Sequence, residues 1–132
     1  MDSIELKAIL KKHHQFAEGG GQGARADLSH QDLRGADLSG VDLRDASLRE
    51  ADLTGVDLSG ADLTEAVLPG ADLHDVSLKG ANLTNADLSH ADLRDADLTG
   101  ANLTGTDLWR SNLRGCVISP QALHKVLLCK NE

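Results

Sequence analysis

The 132-residue chain carries 21 acidic and 13 basic side chains, a formal net charge of −8, with one Phe, one Trp and no Tyr. This charge disfavours nucleic acid and anionic membranes as partners, and a core must form here without aromatic bulk. No apolar run is long enough to cross a membrane, no signal-peptide pattern opens the chain, and two cysteines are too few for a disulfide framework. These features predict a single cytoplasmic domain.

The first predicted element is an amphipathic helix from about Ser3 to Ala17, with Asp2 or Ser3 as its N-cap. Its apolar face is formed by side chains at helical spacing, namely Leu6, Ile9, Leu10, His13, Phe16 and Ala17. A glycine-rich segment then ends the helix. We expect this face, with Phe16 as its anchor, to cover Leu28 and Gln31 at the start of the segment that follows. A helix that binds a partner or a membrane is the alternative.

A five-residue repeat occupies the middle of the chain. Leucine stands at every fifth position from 28 to 113 and Ile118 continues the series, which makes 19 repeats without an insertion. A small residue, most often alanine, lies two positions before each leucine, and Asp or Asn fills most of the positions between them. Internal repeats of this kind determine the fold before any local propensity does.

This period fits neither a continuous helix nor a continuous strand. Leucines five apart would spread around a helix and would alternate between the two faces of a strand. Three extended residues such as Ala36-Asp37-Leu38, followed by a two-residue turn, place both apolar side chains on one side. Glycine at the second turn position of nine repeats fits such a turn. Each repeat is then one side of a polygon with leucines inside.

The pattern resembles the pentapeptide-repeat family, whose consensus is A(D/N)LXX, over residues 24–119. The resemblance implies an all-β solenoid, a right-handed quadrilateral β-helix with four repeats in each coil. Nineteen repeats would make 19/4, about 4.75 coils. We expect helical caps at both ends, because the open end of a stack exposes leucines and unpaired strand edges. The predicted segments are 1–23 (capping helix and linker), 24–119 (repeats) and 120–132 (second capping helix).

The last predicted element is a short helix from about Pro120 to Cys129. Ser119 is a suitable N-cap and Pro120 suits the first helical position. Its apolar face would contain Leu123, Val126 and Leu127. Leu128 and Cys129 would lie off this face and are possible contacts of a homodimer, as the C-terminal helix is in some members of the family.

Outward side chains fall into columns when the chain is divided every twenty residues. One column contains Asp32, Asp52, Asp72, Asp92 and Asn112. These carboxylates either accept hydrogen bonds from nearby main chain or form a row of negative charge that imitates DNA phosphates. The resemblance supplies a precedent for the second interpretation, because some members mimic B-form DNA and bind type II topoisomerases, notably gyrase. Arg34, Arg94 and Arg114 in the neighbouring column partly neutralise such a row.

Trp109 is the single tryptophan and stands at an outward turn position, where it either packs against the C-terminal helix or contacts a partner. We find no pairing of a nucleophile with a base, no phosphate-binding loop and no convergent set of metal ligands. The sequence therefore predicts a non-enzymatic protein-binding or scaffold module without catalytic residues, metal or cofactor. Its possible interaction surface is Asp32, Asp52, Asp72, Asp92 and Trp109. The partner is an unidentified protein, with inhibition of gyrase by DNA mimicry as the alternative.

Overall fold

Parallel β-bridges join residues of the repeat array at a constant separation of twenty positions. The computed structural model describes residues 1–19 and 21–130, with side chains described as far as residue 126. Fifteen bridges run from Asp27↔Ser47 to Asp97↔Val117, and each pairs a residue with the one twenty positions later. Four five-residue repeats therefore complete one coil, and residues twenty apart lie above one another.

Main-chain hydrogen bonds hold each coil to the next. The Asp52 amide donates to the Gln31 carbonyl at 2.9 Å, and the Asp52 carbonyl accepts the Leu33 amide at 2.9 Å. The same pair of bonds recurs along the array. Each side of a coil contributes one bridge rather than a long strand, because its extended segment is only three residues long. The β-structure is consequently a stack of isolated bridges.

A two-residue turn separates successive sides of a coil. The Ala36 amide donates to the Leu33 carbonyl at 3.1 Å, and Gly35, the third residue of this turn, has φ 80°. A positive φ at the third residue alone is the signature of a type II turn. The same left-handed conformation occurs at every fifth position from 30 to 115, in nine glycines and nine other residues. These nine side chains accept a backbone conformation that only glycine adopts without strain.

The leucines of the repeats fill the interior. All seventeen from Leu28 to Leu108 are at most 5% exposed, whereas Leu113 and Ile118 are only partly buried because no further coil covers them. The prediction that every fifth side chain points inward is confirmed. Burying one leucine side chain stabilises the folded state by on the order of 1.5–3 kcal/mol relative to exposure. The interior leucines therefore provide most of the hydrophobic stabilisation that aromatic side chains provide in other protein cores.

The residue between the two interior positions of a repeat bonds to its own turn. In fifteen repeats an Asp or Asn Oδ1 accepts the amide two residues later at 2.9 to 3.1 Å. The remaining four repeats have Ser or Val at this position, namely Ser47, Val67, Ser77 and Val117. A short carboxylate or amide side chain stabilises a turn in this way. The frequent aspartates therefore have a local structural role.

Helix α1 (Ser3–Ala17) packs on the first coil. Leu6 and His13 are its buried side chains, and the Ala24 amide donates to the Lys12 carbonyl at 3.1 Å. The prediction that Phe16 anchors this face is wrong, since Phe16 is 41% exposed. His13 follows Leu6 by two full turns and shares its direction, whereas Phe16 lies about 60° further round the helix.

Helix α2 (Pro120–Lys130) follows the last repeat. Ser119 Oγ accepts the Ala122 amide at 3.1 Å, as expected of an N-cap. Ala122 and Val126 are buried, four residues apart on one face. Leu123, predicted to lie on this face, is 38% exposed, because it is rotated by about 100° from Ala122. The side chains of Leu127, Leu128 and Cys129 lie outside the described part of the chain.

We predict that two glycines with the same backbone conformation differ in their tolerance of a side chain. Gly55 (φ 70°) has open space where a Cβ would stand, whereas a Cβ at Gly23 (φ 79°) would collide with the Lys12 carbonyl oxygen and the Phe16 nitrogen of α1. Gly55→Ala should lower the free energy of unfolding by about 1 kcal/mol through backbone strain alone. Gly23→Ala should cost about 1–3 kcal/mol more through overpacking, because main-chain atoms of a helix cannot move aside singly. Denaturant unfolding measures both, and equal losses would contradict the close packing of α1 on Gly23.

We also predict that asparagine can replace the aspartate in the middle of a repeat without loss of stability, whereas alanine cannot. Asp62 Oδ1 accepts the Thr64 amide at 3.1 Å and its hydroxyl at 2.6 Å, and Asn82 makes the same two bonds with Thr84. Asp62→Asn should leave the unfolding free energy nearly unchanged. Asp62→Ala should lower it by about 1–2 kcal/mol, since two hydrogen bonds are lost. A similar loss in both variants would show that charge, not the turn bond, is what matters.

Candidate functional site

The register of the coils places the predicted interaction residues on one side of the protein. Asp32, Asp52, Asp72 and Asp92, here called the acidic column, lie above one another through successive bridges that end at Asn112. The turns that precede this face, residues 29–30, 49–50, 69–70, 89–90 and 109–110, form its leading edge, which contains Trp109. The acidic column and Trp109 are thus adjacent features of one surface, although 77 positions separate Asp32 from Trp109.

Each carboxylate of the acidic column uses one oxygen in its own turn. The Oδ1 atoms accept main-chain amides at 3.1 Å from Arg34, Thr54, His74 and Arg94. This observation supports the first interpretation of the column, in which the aspartates satisfy nearby main-chain donors. At Asp32, Asp52 and Asp92 the same Oδ1 also accepts a hydrogen bond from the side chain two residues later.

Arginines neutralise part of the acidic column. Arg34 Nε and Nη2 donate to Asp32 at 2.9 and 2.8 Å, and Arg94 makes the equivalent pair of bonds to Asp92 at 2.9 and 2.7 Å. Hydrogen bonds from these guanidinium groups hold the pKa of both carboxyl groups below the usual range. Arg34 Nε also lies 3.4 Å from Asp52 Oδ2. Arginine thus neutralises the column at Asp32 and Asp92, whereas the turns of Asp52 and Asp72 contain no arginine.

The leading edge contains the single tryptophan of the chain and a Pro-Gly turn. Trp109 is 56% exposed, and the guanidinium carbon of Arg110 lies 5.6 Å from the centre of its ring. Two coils earlier, a surface depression of about 230 Å³ is lined by His30, Arg49, Glu50, Pro69, Gly70 and His90. His30 Nδ1 stands 3.2 Å from Glu50 Oε2 at its border. An exposed aromatic ring and a shaped recess thus share one edge.

Two sets of side chains among the described residues have the geometry to hold a metal ion, and the sequence analysis found neither. His74 Nε2 lies 3.5 Å from Asp75 Oδ2 and 3.4 Å from Asp95 Oδ2. The twenty-residue spacing of the repeats could have predicted this set, because it places Asp95 directly above Asp75. In the second set, His14 Nδ1 lies 4.0 Å from Glu18 Oε1 and 3.8 Å from Asp42 Oδ2. Exposed carboxylates often form such groups without a metal.

The hydroxyl groups beside the aspartates are turn donors. Thr54 Oγ1 donates to Asp52 Oδ1 at 2.7 Å, and Ser39 makes the same bond to Asp37 at 2.7 Å. Each hydroxyl is thereby held in its own turn, by a carboxylate oxygen that also accepts the main-chain amide of the same Ser or Thr. Cys116 is half-buried, and burial raises the pKa of its thiol, which disfavours the nucleophilic thiolate.

No helix among the described residues is long and apolar enough to span a membrane. None of the curated protein sequences matches this chain.

Comparison with known families and structures agrees with the repeat geometry. The family model described as pentapeptide repeats matches residues 24–60, 57–95 and 81–119. A pentapeptide-repeat protein from the Arabidopsis thaliana thylakoid lumen is 35% identical, with a TM-score of 0.71 over 87% of this chain and 85% of that one. The pentapeptide-repeat protein Rfr23 from the cyanobacterium Cyanothece is 31% identical, with a TM-score of 0.44 over 73% of this chain and 82% of its own.

A third solved structure is HetL from the cyanobacterium Nostoc, a pentapeptide-repeat protein involved in the regulation of heterocyst differentiation. It is 33% identical, with a TM-score of 0.43 over 71% of this chain and 54% of its own. The family model spans well over half of the chain, and the twenty-residue bridges agree with it. The chain therefore belongs to the pentapeptide-repeat family, whose proteins are right-handed quadrilateral β-helices.

Proposed function

We propose that this protein is a non-enzymatic binding module that contacts a protein partner through the acidic column and the leading edge. The observation that carries the proposal is Trp109, a large aromatic ring left 56% exposed beside Arg110 on an edge that also contains a recess. The repeat does not require an aromatic residue at this position, since Ser29 and Ser89 occupy it in other coils. Exposed tryptophan and arginine are the residue types that most often dominate binding energy at interfaces.

The stacked main chain makes this surface suitable for binding. Outward side chains of consecutive coils are held about 4.8 Å apart by the bridges, so their relative positions are set before a partner arrives. A rigid surface loses little conformational entropy on association. The arginines paired with Asp32 and Asp92 add directionality, because a partner must present complementary charges at matching positions.

The two helices fit a supporting role at the ends of the stack. Helix α1 buries Leu6 against the first coil, and α2 buries Ala122 and Val126 at the other end. We assign residues 1–23 and 120–132 to terminal caps and residues 24–119 to the binding body, in a stack of about 4.75 coils from 19/4 repeats. We also propose that the protein forms a homodimer through Leu128 and Cys129 and that it is located in the cytoplasm.

The second candidate is inhibition of gyrase through DNA mimicry, and the net charge of the array favours it. Residues 24–119 contain 17 acidic and 8 basic side chains, a difference of −9. On the face after the acidic column, Asp37 and Asp57 bond only to serines and retain an outward charge. The arginine pairs at Asp32 and Asp92 act against this candidate, because they interrupt the row of charge that a phosphate backbone presents.

We predict that binding depends on the leading edge and the acidic column more than on the neighbouring face. Trp109→Ala should weaken capture of a specific partner from extract of the source cells by at least tenfold, as loss of an aromatic hot spot does. Asp52→Asn/Asp72→Asn should weaken it further. The matched control is Asp37→Asn/Asp57→Asn, which removes the same charge on the next face and keeps the same turn bonds. Equal effects of the two double variants would refute the assigned surface.

For Trp109 itself, a thermal unfolding measurement separates the two interpretations of the side chain. If Trp109→Ala binds the partner as well as the natural protein and melts several degrees lower, the ring serves packing and not binding.

DNA mimicry makes a different prediction. Gyrase supercoiling should be inhibited at micromolar protein, and both double Asp→Asn variants should weaken inhibition to a similar degree, because the total negative charge would matter more than its position. A supercoiling assay at two salt concentrations tests this, since screening should weaken the effect at high salt. Full gyrase activity at tens of micromolar protein would eliminate this candidate.

A further inference from the structure

His13 is the one titratable side chain that is fully buried among the described residues. Its exposed fraction is 0%, and it lies on α1 where the helix meets the first coil. The adjacent His14 is exposed, with 63% of its side chain accessible. A buried histidine at the contact between two structural units has consequences that an exposed one does not have, because its protonation would place a charge in the contact.

The hydrogen bonding of His13 identifies its protonation state. The Ala26 amide donates to His13 Nδ1 at 2.9 Å, so Nδ1 carries a lone pair and the ring hydrogen is on Nε2. Nε2 is buried and has no hydrogen-bond partner among the described residues. The docked helix therefore requires the neutral imidazole in a single tautomer.

Protonation is incompatible with this arrangement. A second ring hydrogen would sit on Nδ1 and point at the Ala26 amide, so two donors would face each other and the bond between them would be lost. The charged ring would also remain buried. Burial lowers the pKa of His13, partly opposed by the Asp42 carboxylate, by the main chain of Arg44 and by the Asp45 carboxylate, while the Arg44 guanidinium lowers it further.

We propose that the contact of α1 with the first coil is a pH-sensitive switch, in which neutral His13 holds the helix in place and protonated His13 releases it. Two other bonds depend on the same docking, from the Met1 amino group to the Asp32 carbonyl at 2.9 Å and from the Ala24 amide to the Lys12 carbonyl at 3.1 Å. Release uncovers the side of the first coil that faces away from the second coil, including the Ala26 amide and the Asp32 carbonyl. An unpaired edge of this kind is able to pair with another extended chain.

The direction of the effect follows from linkage. Because the pKa of His13 is lower when α1 is docked than the ordinary value of 6.5, the released state binds the additional proton. The stability of docking is fully present above pH 6.5 and is lost as the pH falls towards the pKa of the docked state. In that window the ratio of released to docked molecules rises by up to tenfold for each pH unit.

The test is amide hydrogen exchange of Ala26, measured by NMR between pH 7.5 and 5 and expressed as a protection factor that corrects for intrinsic exchange. Protection of the natural protein should fall by up to tenfold per pH unit below 6.5. His13→Gln, a side chain that accepts a hydrogen bond and does not titrate here, should remove this slope. His14→Gln, next along the helix, should leave it in place. The Ala86 amide, inside the stack, serves as the internal control and should show no such slope.

Constant protection of Ala26 in the natural protein would overturn the proposal, as would loss of the slope in His14→Gln. If His13→Gln fails to dock at any pH, the His13 ring signals of the natural protein decide the question. A ring that titrates at or above 6.5 while Ala26 stays protected would refute the switch. A ring that titrates lower, in step with the loss of Ala26 protection, would support it.

Discussion

The main-chain bond between residues about twenty positions apart is the constraint on which the rest of the structure depends. Leu33 donates to Asp52 and Asp52 donates to Gln31, and the same pattern recurs along the stack. This pattern requires each coil to use four sides of five residues, because a residue added within a side would displace the following leucines from the interior unless it were looped out. The left-handed third turn residue, the buried small residues and the acceptor at each turn all serve that register.

A consequence is that most of the acidic charge of this protein has a structural origin. An aspartate in the middle of a repeat bonds to the amide two residues later, and asparagine does the same at Asn82, Asn102 and Asn112. Negative charge alone is therefore weak evidence for a functional surface in this fold. Departures from the repeat are more informative, because the stack does not require them. Trp109, the Pro69-Gly70 turn and the paired arginines are departures of this kind, and they lie on or beside a single face.

The main chain is hydrogen-bonded differently at the ends of the stack and in its middle. A central coil satisfies its main chain with two identical neighbours, whereas the first coil meets a helix whose groups have no such register. His13 accepts the Ala26 amide, whereas the equivalent amide of a later repeat, such as that of Ala46, donates to the leucine carbonyl three residues before it. A titratable side chain thus stands where the repeat array presents a main-chain carbonyl. The first coil is thereby sensitive to pH in a way that the interior coils are not.

The sequence by itself determined the period, the interior leucines and the helix over Ser3–Ala17, because each rests on a spacing that is local along the chain. With the family resemblance it also led to four sides per coil. Tertiary structure decided what depends on neighbours twenty residues away or on the ends of the stack. Only packing shows that His13 is buried and Phe16 is not, and only the stacked coils bring His74 together with Asp95. Likewise the pairing of Arg34 with both Asp32 and Asp52 requires two coils in contact. These outcomes depend on distances between atoms of different coils and helices, and a linear pattern does not contain such distances.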